Sequence, residues 1–317
     1  MNFNNSIESK KSKAKSCSEL LLEFKRKEVG KEAKPQGVKL KFLGIGSKDV
    51  YNITPPFLID GKIVIAGRVE NREDEFNSEI YFFEQHGKDT WIKINDAPIF
   101  KLEDPFVATV GGESIVGGVE VSQPPLGDKD DSVTYRTIFY KGKSLNTLEK
   151  FTVGPAKMKD IRIIELENGH IGVFTRPQNG IYGRGKIGYI ELNELGDLNP
   201  ENILRAKIIE NQFTPTEWGG ANQLHLEKDK IGVIGHVACF DEEKNKHYYG
   251  MSFVFDPKTH TSSPLKIIAT RDDFPIGKSK KPDRKDVIFL GGTDKEFNLY
   301  AGLGDAKSGR KPIDYPF

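Results

Sequence analysis

Asp160-Ile-Arg-Ile-Ile-Glu-Leu-Glu-Asn-Gly-His-Ile-Gly-Val-Phe-Thr-Arg176 is the stretch whose reading decides the fold. Two short runs rich in Ile, Val and Phe flank Asn168-Gly169, a dipeptide that reverses the chain because both residues tolerate a left-handed backbone. Asp160 opens the first run and Arg176 closes the second. The unit is a β-hairpin whose two charged ends lie on the same side, away from the turn.

The same unit recurs along the chain. Its other copies start at Asn52 (closing at Arg68), Asp104 (closing at Glu120), Asn222 (closing at His236) and Asp286 (continuing to Asp305). The first residues are spaced by 52, 56, 62 and 64 positions. A propeller blade of four strands takes roughly 40–50 residues plus loops. Five such units fill residues 39–317, which predicts an all-β fold, a five-bladed β-propeller. The rival, a two-sheet sandwich, needs no such period. In a propeller the hairpin ends converge on one mouth of the central channel. A mouth holding Asn52, Arg68, Asp104, Glu120, Asp160, Arg176, His236 and Asp305 suits a polar, hydroxyl-rich or anionic ligand. The bland reading of each Asp or Asn is a turn cap.

Residues 1–38 differ, being rich in Lys and Glu without strand alternation. They read as an N-terminal extension with one helix starting near Ser18 as N-cap, with Leu20, Leu21 and Phe24 on one docking face. Lys10, Lys11, Lys13 and Lys15 read as a solvated tail, since no aromatic residues interleave them for base stacking. Single helical turns are expected at Asn193-Glu-Leu and from Asn199.

Composition narrows the function. The 317 residues carry 47 Lys+Arg against 46 Asp+Glu, so no global basic field points to nucleic acid. No apolar run reaches roughly 18 residues, which argues against a membrane-spanning helix. The start, MNFNNSIESKKSKAKS, lacks the apolar core of a secretory signal, and a cytoplasmic protein is expected. Two cysteines, Cys17 and Cys239, exclude a disulfide framework, and Cys239 reads as an inert thiol. The six histidines show no metal-ligand spacing, so no metal is expected. Gly183-Arg-Gly-Lys-Ile-Gly188 fits a dinucleotide motif by letter only, because a strand rather than a helix follows it. Trp91 alternates with Ile92 and Ile94 and reads as core. Trp218, before Gly219-Gly220, is a candidate platform for stacking a sugar.

The motifs together resemble the five-bladed propeller glycosidase superfamily, and within it the inverting β-mannoside phosphorylases and related hydrolases. A poorly characterised branch from bacteria and trypanosomatids is more similar still. Tyr51-Asn52-Ile-Thr-Pro-Pro with Val64-Ile-Ala-Gly-Arg68 is similar to the first-blade Asn-Pro segment and its arginine. Leu102-Glu103-Asp104-Pro105 resembles the Glu-Asp-Pro-Arg motif, with Phe106 in place of the arginine. Lys159-Asp160 and Val173-Phe-Thr-Arg176-Pro177 resemble Asn-Lys-Asp-Ala and His-Arg-Pro, with Met158 and Thr175 departing. Trp218-Gly-Gly-Ala with Gly232-Val-Ile-Gly-His236, and Asp286-Val-Ile-Phe-Leu-Gly-Gly with Tyr300-Ala-Gly-Leu-Gly-Asp305, resemble the last two blade patterns.

The resemblance implies a carbohydrate-active enzyme with Asp104 as general acid in an inverting phosphorolysis of β-linked, mannoside-like oligosaccharides. Inorganic phosphate is then the co-substrate, with no other cofactor. An acid at neutral pH needs a raised pKa, for which Glu103, Asp160 and Asp305 are candidate neighbours. Arg176 and His236 match phosphate-binding positions; Asn52, Arg68, Asp160 and Asp305 match sugar-binding ones, and Glu120 joins them by its place in the repeat. Phe106 removes a cation that Arg136, Arg162 or Arg184 would have to restore. Two alternatives stay open: an inverting hydrolase with Glu120 or Glu217 as base, and a glycan-binding propeller without turnover. The expected partner is an oligosaccharide, with the N-terminal helix placed to contact a neighbouring subunit of a homo-oligomer.

Overall fold

The structure, a computed structural model, describes residues 14–29, 36–74, 77–122 and 133–317. Lys10, Lys11 and Lys13 lie outside the described residues. The fold is all-β apart from short helical segments. Strands Lys62–Glu70, Glu79–Gly87 and Thr90–Lys93 form an antiparallel sheet, with Asp49–Tyr51 and Phe57–Ile59 both pairing Lys62–Glu70. Glu103–Val110, Glu113–Ser122, Thr134–Gly142 and Glu149–Val153 make a second antiparallel sheet, and Arg162–Glu165, Ile171–Thr175, Gly188–Leu192 and Lys207–Ile208 a third. Trp218–Glu227, Lys230–Phe240, Lys246–Asp256 and Lys266–Ala269 follow. A last group, Asp286–Thr293, Asn298–Leu303 and Lys307–Pro312, joins them through a short parallel contact at His247 and Asp286.

These groups follow one another in a propeller-like ring. Lys62–Glu70 touches Glu103–Val110, which touches Arg162–Glu165, then Trp218–Glu227, then Asp286–Thr293. The circuit closes where Asp49–Tyr51 meets the last group and Ser308 Oγ donates to Val50 O at 2.9 Å. Val38–Lys39 pairs with Lys307–Pro312, so strands from early and late in the sequence share one sheet. The core is correspondingly divided. Phe106, Phe139, Ile163 and Val173 pack between the second and third sheets; Val64, Phe82, Val116 and Ile138 pack between the first and second. Burying apolar side chains between successive sheets, at about 25 cal/mol per Å², is what holds such a ring together. Trp91 is fully buried in the first sheet's cluster.

The helix Cys17–Glu28 forms because Ser16 caps it, in a reciprocal box with Glu19. The cap is Ser16 rather than Ser18, since only Ser16 stands three residues before a glutamate that can reach back. Leu20 is buried against the cluster around Phe174 and Phe253, and Leu21 and Phe24 pack beside it. The expected single turns are a 3-10 turn Leu195–Asp197 and a short helix Pro200–Leu204 capped by Asn199.

Candidate active site

Asn52, Asp104, Asp160 and Asp305 share an uncommon backbone. Their φ angles are 46°, 47°, 58° and 53°, the left-handed region that L-residues other than Asn and Asp rarely enter. Register shifts interrupt the ladders between Glu103 and Phe106, Ala221 and Gln223, and Leu290 and Gly292. Such bulges turn side chains out of the strand's alternation. At Asn52 the two prolines that follow cannot donate to a ladder, and Thr54 compensates: its N–H donates to Ala66 O, and its hydroxyl accepts from Ala66 N. A methyl on Gly302 would sit 2.1 Å from Asn52 Oδ1, so the last group admits Asn52 only because that residue is glycine.

The side chains so aimed meet. Asn52 Nδ2 donates to Asp104 Oδ1 at 2.8 Å, and Arg68 Nη1 to the same oxygen at 3.2 Å. Arg68 also holds Glu103 through both terminal nitrogens at 3.0 Å and Glu70 through Nε at 3.2 Å. Glu70 is completed by Tyr51 Oη at 2.6 Å, by Ser78 and by Lys280. Lys159 Nζ lies 3.8 Å from Asp104 Oδ2. Asn52, Arg68, Glu103, Asp104, Lys159 and Asp305 border one cavity of about 330 Å³, with Tyr248 and Phe289 as its apolar lining. Arg184, Lys246 and Arg284 add charge, and Arg284 Nη1 pairs with Asp305 Oδ2 at 2.9 Å. Five cations therefore face three carboxylates, a balance that favours an anionic ligand.

Behind this wall lies a second layer. Arg176 Nη1 is 3.1 Å from Asp160 Oδ2, while Arg176 Nε and Nη2 donate to Gly219 O and Arg184 O at 2.8 and 3.0 Å. His236 stacks against Tyr248 and Phe289 with centroids 5.6 and 5.1 Å away. A methyl on Gly220 would stand 2.9 Å from Arg176 Cδ, 3.0 Å from His236 Cε1 and 3.2 Å from Asp160 Oδ2, so these three converge on one point. Arg162 Nη2 approaches Asp160 Oδ1 at 4.0 Å, and its guanidinium lies 4.5 Å over the Phe106 ring. Arg162 is thus held over the Phe106 ring by a cation–π contact, and it does not border the cavity.

The protonation states follow from burial and charge. Burial pushes the Asp104 carboxyl up, but Arg68, Lys159 and the Asn52 hydrogen bond outweigh it and hold Asp104 below the usual carboxylate range. The raised acid expected from the sequence is found one residue earlier. Burial pushes Glu103 up, against Arg68 and helped by Asp104. Burial also pushes Asp160 up, yet Arg176, Lys159, His236 and Arg162 bring it down to about 2. Burial alone would lower the Lys159 ammonium, but Asp160 and Asp104 keep it above its ordinary value. His236 is pulled down to about 3, chiefly by burial, and is a neutral imidazole rather than a cation. Its Nδ1 lies 2.9 Å from Asn222 Oδ1, an acceptor, which puts the ring proton on Nδ1 and leaves Nε2 as an acceptor.

Three expected site residues lie elsewhere. Glu120 faces Arg136 across two strands, with an ion pair of 2.7 Å and its side chain 35% exposed, and does not border the cavity. Glu217 accepts from the Cys17 N–H at 2.6 Å and anchors the N-terminal helix. Trp218 is 1% exposed; Arg184 lies over its ring at 4.7 Å and its Nε1 donates to Tyr248 Oη at 3.1 Å, which leaves no open face for a sugar. The hairpin repeat does not mark Glu70, Lys246, Lys280 or Arg284. Glu70 could have been found, since it stands two positions after Arg68 on the same strand face. Lys280 and Arg284 come from a polar loop without periodicity, and nothing local marks them.

A closed all-β ring with this cup belongs to the class the sequence resembles, the mannoside-phosphorylase-like and glycosidase-like propellers. Residues 26–317 match the family described as "Protein of unknown function (DUF1861)", and the chain belongs to that family. Among solved structures it is similar to MPT-4, a mannose phosphorylase from Leishmania mexicana in complex with phosphate ion: 35% identity over 95% of this chain and 93% of that one, TM-score 0.84. It is as similar to MPT-1, a GDP-Man-dependent mannosyltransferase from Leishmania mexicana, with 35% identity over 95% of both chains and TM-score 0.84. A structure from the GH130 family of mannoside phosphorylases shares the fold at 14% identity and TM-score 0.56, over 90% of this chain and 96% of that one. No curated protein matches the chain.

Proposed function

We propose that the chain is a mannoside phosphorylase built on a five-bladed β-propeller, with residues 1–38 as an extension whose helix docks on it. Asp104 is the general acid. One phosphate oxygen bonds to the anomeric carbon from the face opposite the glycosidic oxygen. The C–O bond breaks, the leaving oxygen takes a proton from Asp104, and the configuration inverts. Lys159 and Arg184 receive the phosphate at the cavity surface, with Arg176 and the neutral His236 behind them. Asn52, Arg68 and Asp305 hold sugar hydroxyls, and Asp160 keeps Arg176 and Lys159 in place.

One observation carries this reading: a buried carboxylate with its own cation faces a cavity whose cations outnumber its acids. Phosphate-bearing MPT-4 supports it by likeness. Hydrolysis is the weaker reading, because Glu120 and Glu217 both point elsewhere and Asp305 would have to serve as base.

The test is incubation with β-linked manno-oligosaccharides, with and without phosphate, and with GDP-mannose as a separate donor. Phosphate-dependent release of mannose 1-phosphate is expected, and Asp104→Asn should lower it by about 10²–10⁴-fold while sugar binding persists. Phosphate-independent release of mannose would mean hydrolysis. Turnover of GDP-mannose alone would mean a transferase, and binding without turnover of any of these would leave a glycan receptor.

A further inference from the structure

The chain's two cysteines, far apart in sequence, meet where the N-terminal helix docks. Cys17 opens the helix Cys17–Glu28, and Cys239 lies near the end of Lys230–Phe240, a strand that this helix touches. Glu217 fixes the approach. Its Oε1 accepts from the Cys17 N–H at 2.6 Å. The next residue, Trp218, pairs with Ala238 in the ladder, which brings Glu217 alongside Cys239. Cys17 and Cys239 pack in one apolar cluster, and their thiols are hydrogen-bonded to each other.

Each sulfur has a charged neighbour suited to a different task. His247 stands directly opposite Cys239 across the ladder. Its Nδ1 lies 2.6 Å from Asp286 Oδ2 and its Nε2 3.2 Å from Asp241 Oδ2. Carboxylates only accept, so both ring nitrogens carry protons and His247 is an imidazolium. The Cys17 hydrogen bond, and His247 after it, hold the half-buried Cys239 below the ordinary thiol range against the effect of burial. A partly exposed thiol beside a cation is the reactive kind. Cys17 is buried, and its Cys239 partner, burial and Glu217 keep it protonated. Glu217 Oε2 is a buried acceptor with no hydrogen-bond partner among the described residues.

We propose that Cys17 and Cys239 form an oxidation site, at which hydrogen peroxide closes an intramolecular disulfide that latches the N-terminal helix to the body. The Cys239 thiolate attacks one peroxide oxygen and the O–O bond breaks. Cys239 becomes a sulfenic acid, and the other oxygen leaves as hydroxide, which solvent protonates. The Cys17 sulfur then attacks the Cys239 sulfur, so that the S–S bond forms as the S–O bond breaks. The Cys17 proton passes through Glu217 Oε2 to the departing hydroxide, which leaves as water. Two electrons have moved from the pair of sulfurs to the peroxide, and a dithiol returns them. Closure ties the helix to the strand whose Phe240, together with Trp218, carries Arg184 of the cup. The site does not depend on which reaction the cup performs.

The experiment exposes the folded full-length chain to hydrogen peroxide, blocks remaining thiols by alkylation, and maps tryptic peptides without reduction. Residues 16–25 should be found joined to residues 231–244. Both thiols should disappear at the same rate, and dithiothreitol should restore both. Amide exchange over residues 17–28 should slow by about tenfold or more in the oxidised chain. Cys17→Ser should halt at a sulfenic acid on Cys239 that dimedone traps, and Cys239→Ser should react at least about tenfold more slowly. Should either variant fold poorly, the wild-type map decides alone. Unreacted thiols, a Cys239 sulfinic acid beside a free Cys17, links between separate chains, or a link formed only in denaturant would each overturn the proposal.

Discussion

Gly220→Ala puts one methyl into the point where the second layer converges. The added carbon would meet Arg176 Cδ at 2.9 Å, His236 Cε1 at 3.0 Å and Asp160 Oδ2 at 3.2 Å. Arg176 has little freedom to retreat, because Nε and Nη2 are bound to Gly219 O and Arg184 O and Nη1 faces Asp160. Overpacking of this kind costs about 1–3 kcal/mol, and a charge-assisted hydrogen bond lost on displacement about 1.5–3 kcal/mol. If about 2 kcal/mol of this falls on the phosphate-bound state, phosphate KM rises roughly thirtyfold. Phosphate-dependent initial rates measure that, and differential scanning calorimetry should show Tm lower by a few degrees. Gly196→Ala is the matched control, since its nearest neighbour is Glu194 Oε1 at 3.5 Å. A phosphate KM within twofold of wild type, alongside the expected fall in Tm, would remove Arg176 and His236 from the path of the anion.

Asp160→Asn leaves Arg176 and Arg162 buried without their counter-charge, and should cost about 3–5 kcal/mol in urea unfolding at neutral pH. The pH dependence has a definite sign. The native carboxyl titrates at about 2, below the ordinary 3.8 of an aspartate, so its contribution is complete above about pH 4. It is lost as pH falls towards 2, and the variant should lack that slope. Glu217→Ala removes the acceptor for the Cys17 N–H, at about 1 kcal/mol. Amide exchange over residues 17–28 should accelerate while turnover holds; a collapse in turnover with the helix still protected would restore Glu217 as a base.

The repeat was readable because strand alternation and polar hairpin ends are local properties. It located Asn52, Asp104 and Asp305 at the cup and Asp160, Arg176 and His236 behind it. The same logic misplaced Glu120, since Arg136 lies directly opposite it in register and the two satisfy each other at the surface. Trp218 beside two glycines looked open in sequence. Arg184 and Phe240 arrive from other segments to cover it. The contact of Arg162 with the Phe106 ring depends on two sheets facing each other, which no single strand reveals. Charge state was the least legible feature. Arg68 and Lys159 reach both Glu103 and Asp104 while the Asn52 amide reaches Asp104 alone, a difference that no single strand reveals.

The pairing of Val38–Lys39 with Lys307–Pro312 bears on how the protein is made. Asn52 and Arg68 come from the beginning of the chain, Arg284 and Asp305 from its end, and they border one cavity. A nascent polypeptide can fold its early hairpins as they leave the ribosome, yet it cannot fasten the circle until Lys307–Pro312 has emerged. The cup therefore comes into being only once residues 286–312 are in place, and a chain lacking them would present tidy sheets around half a receptacle.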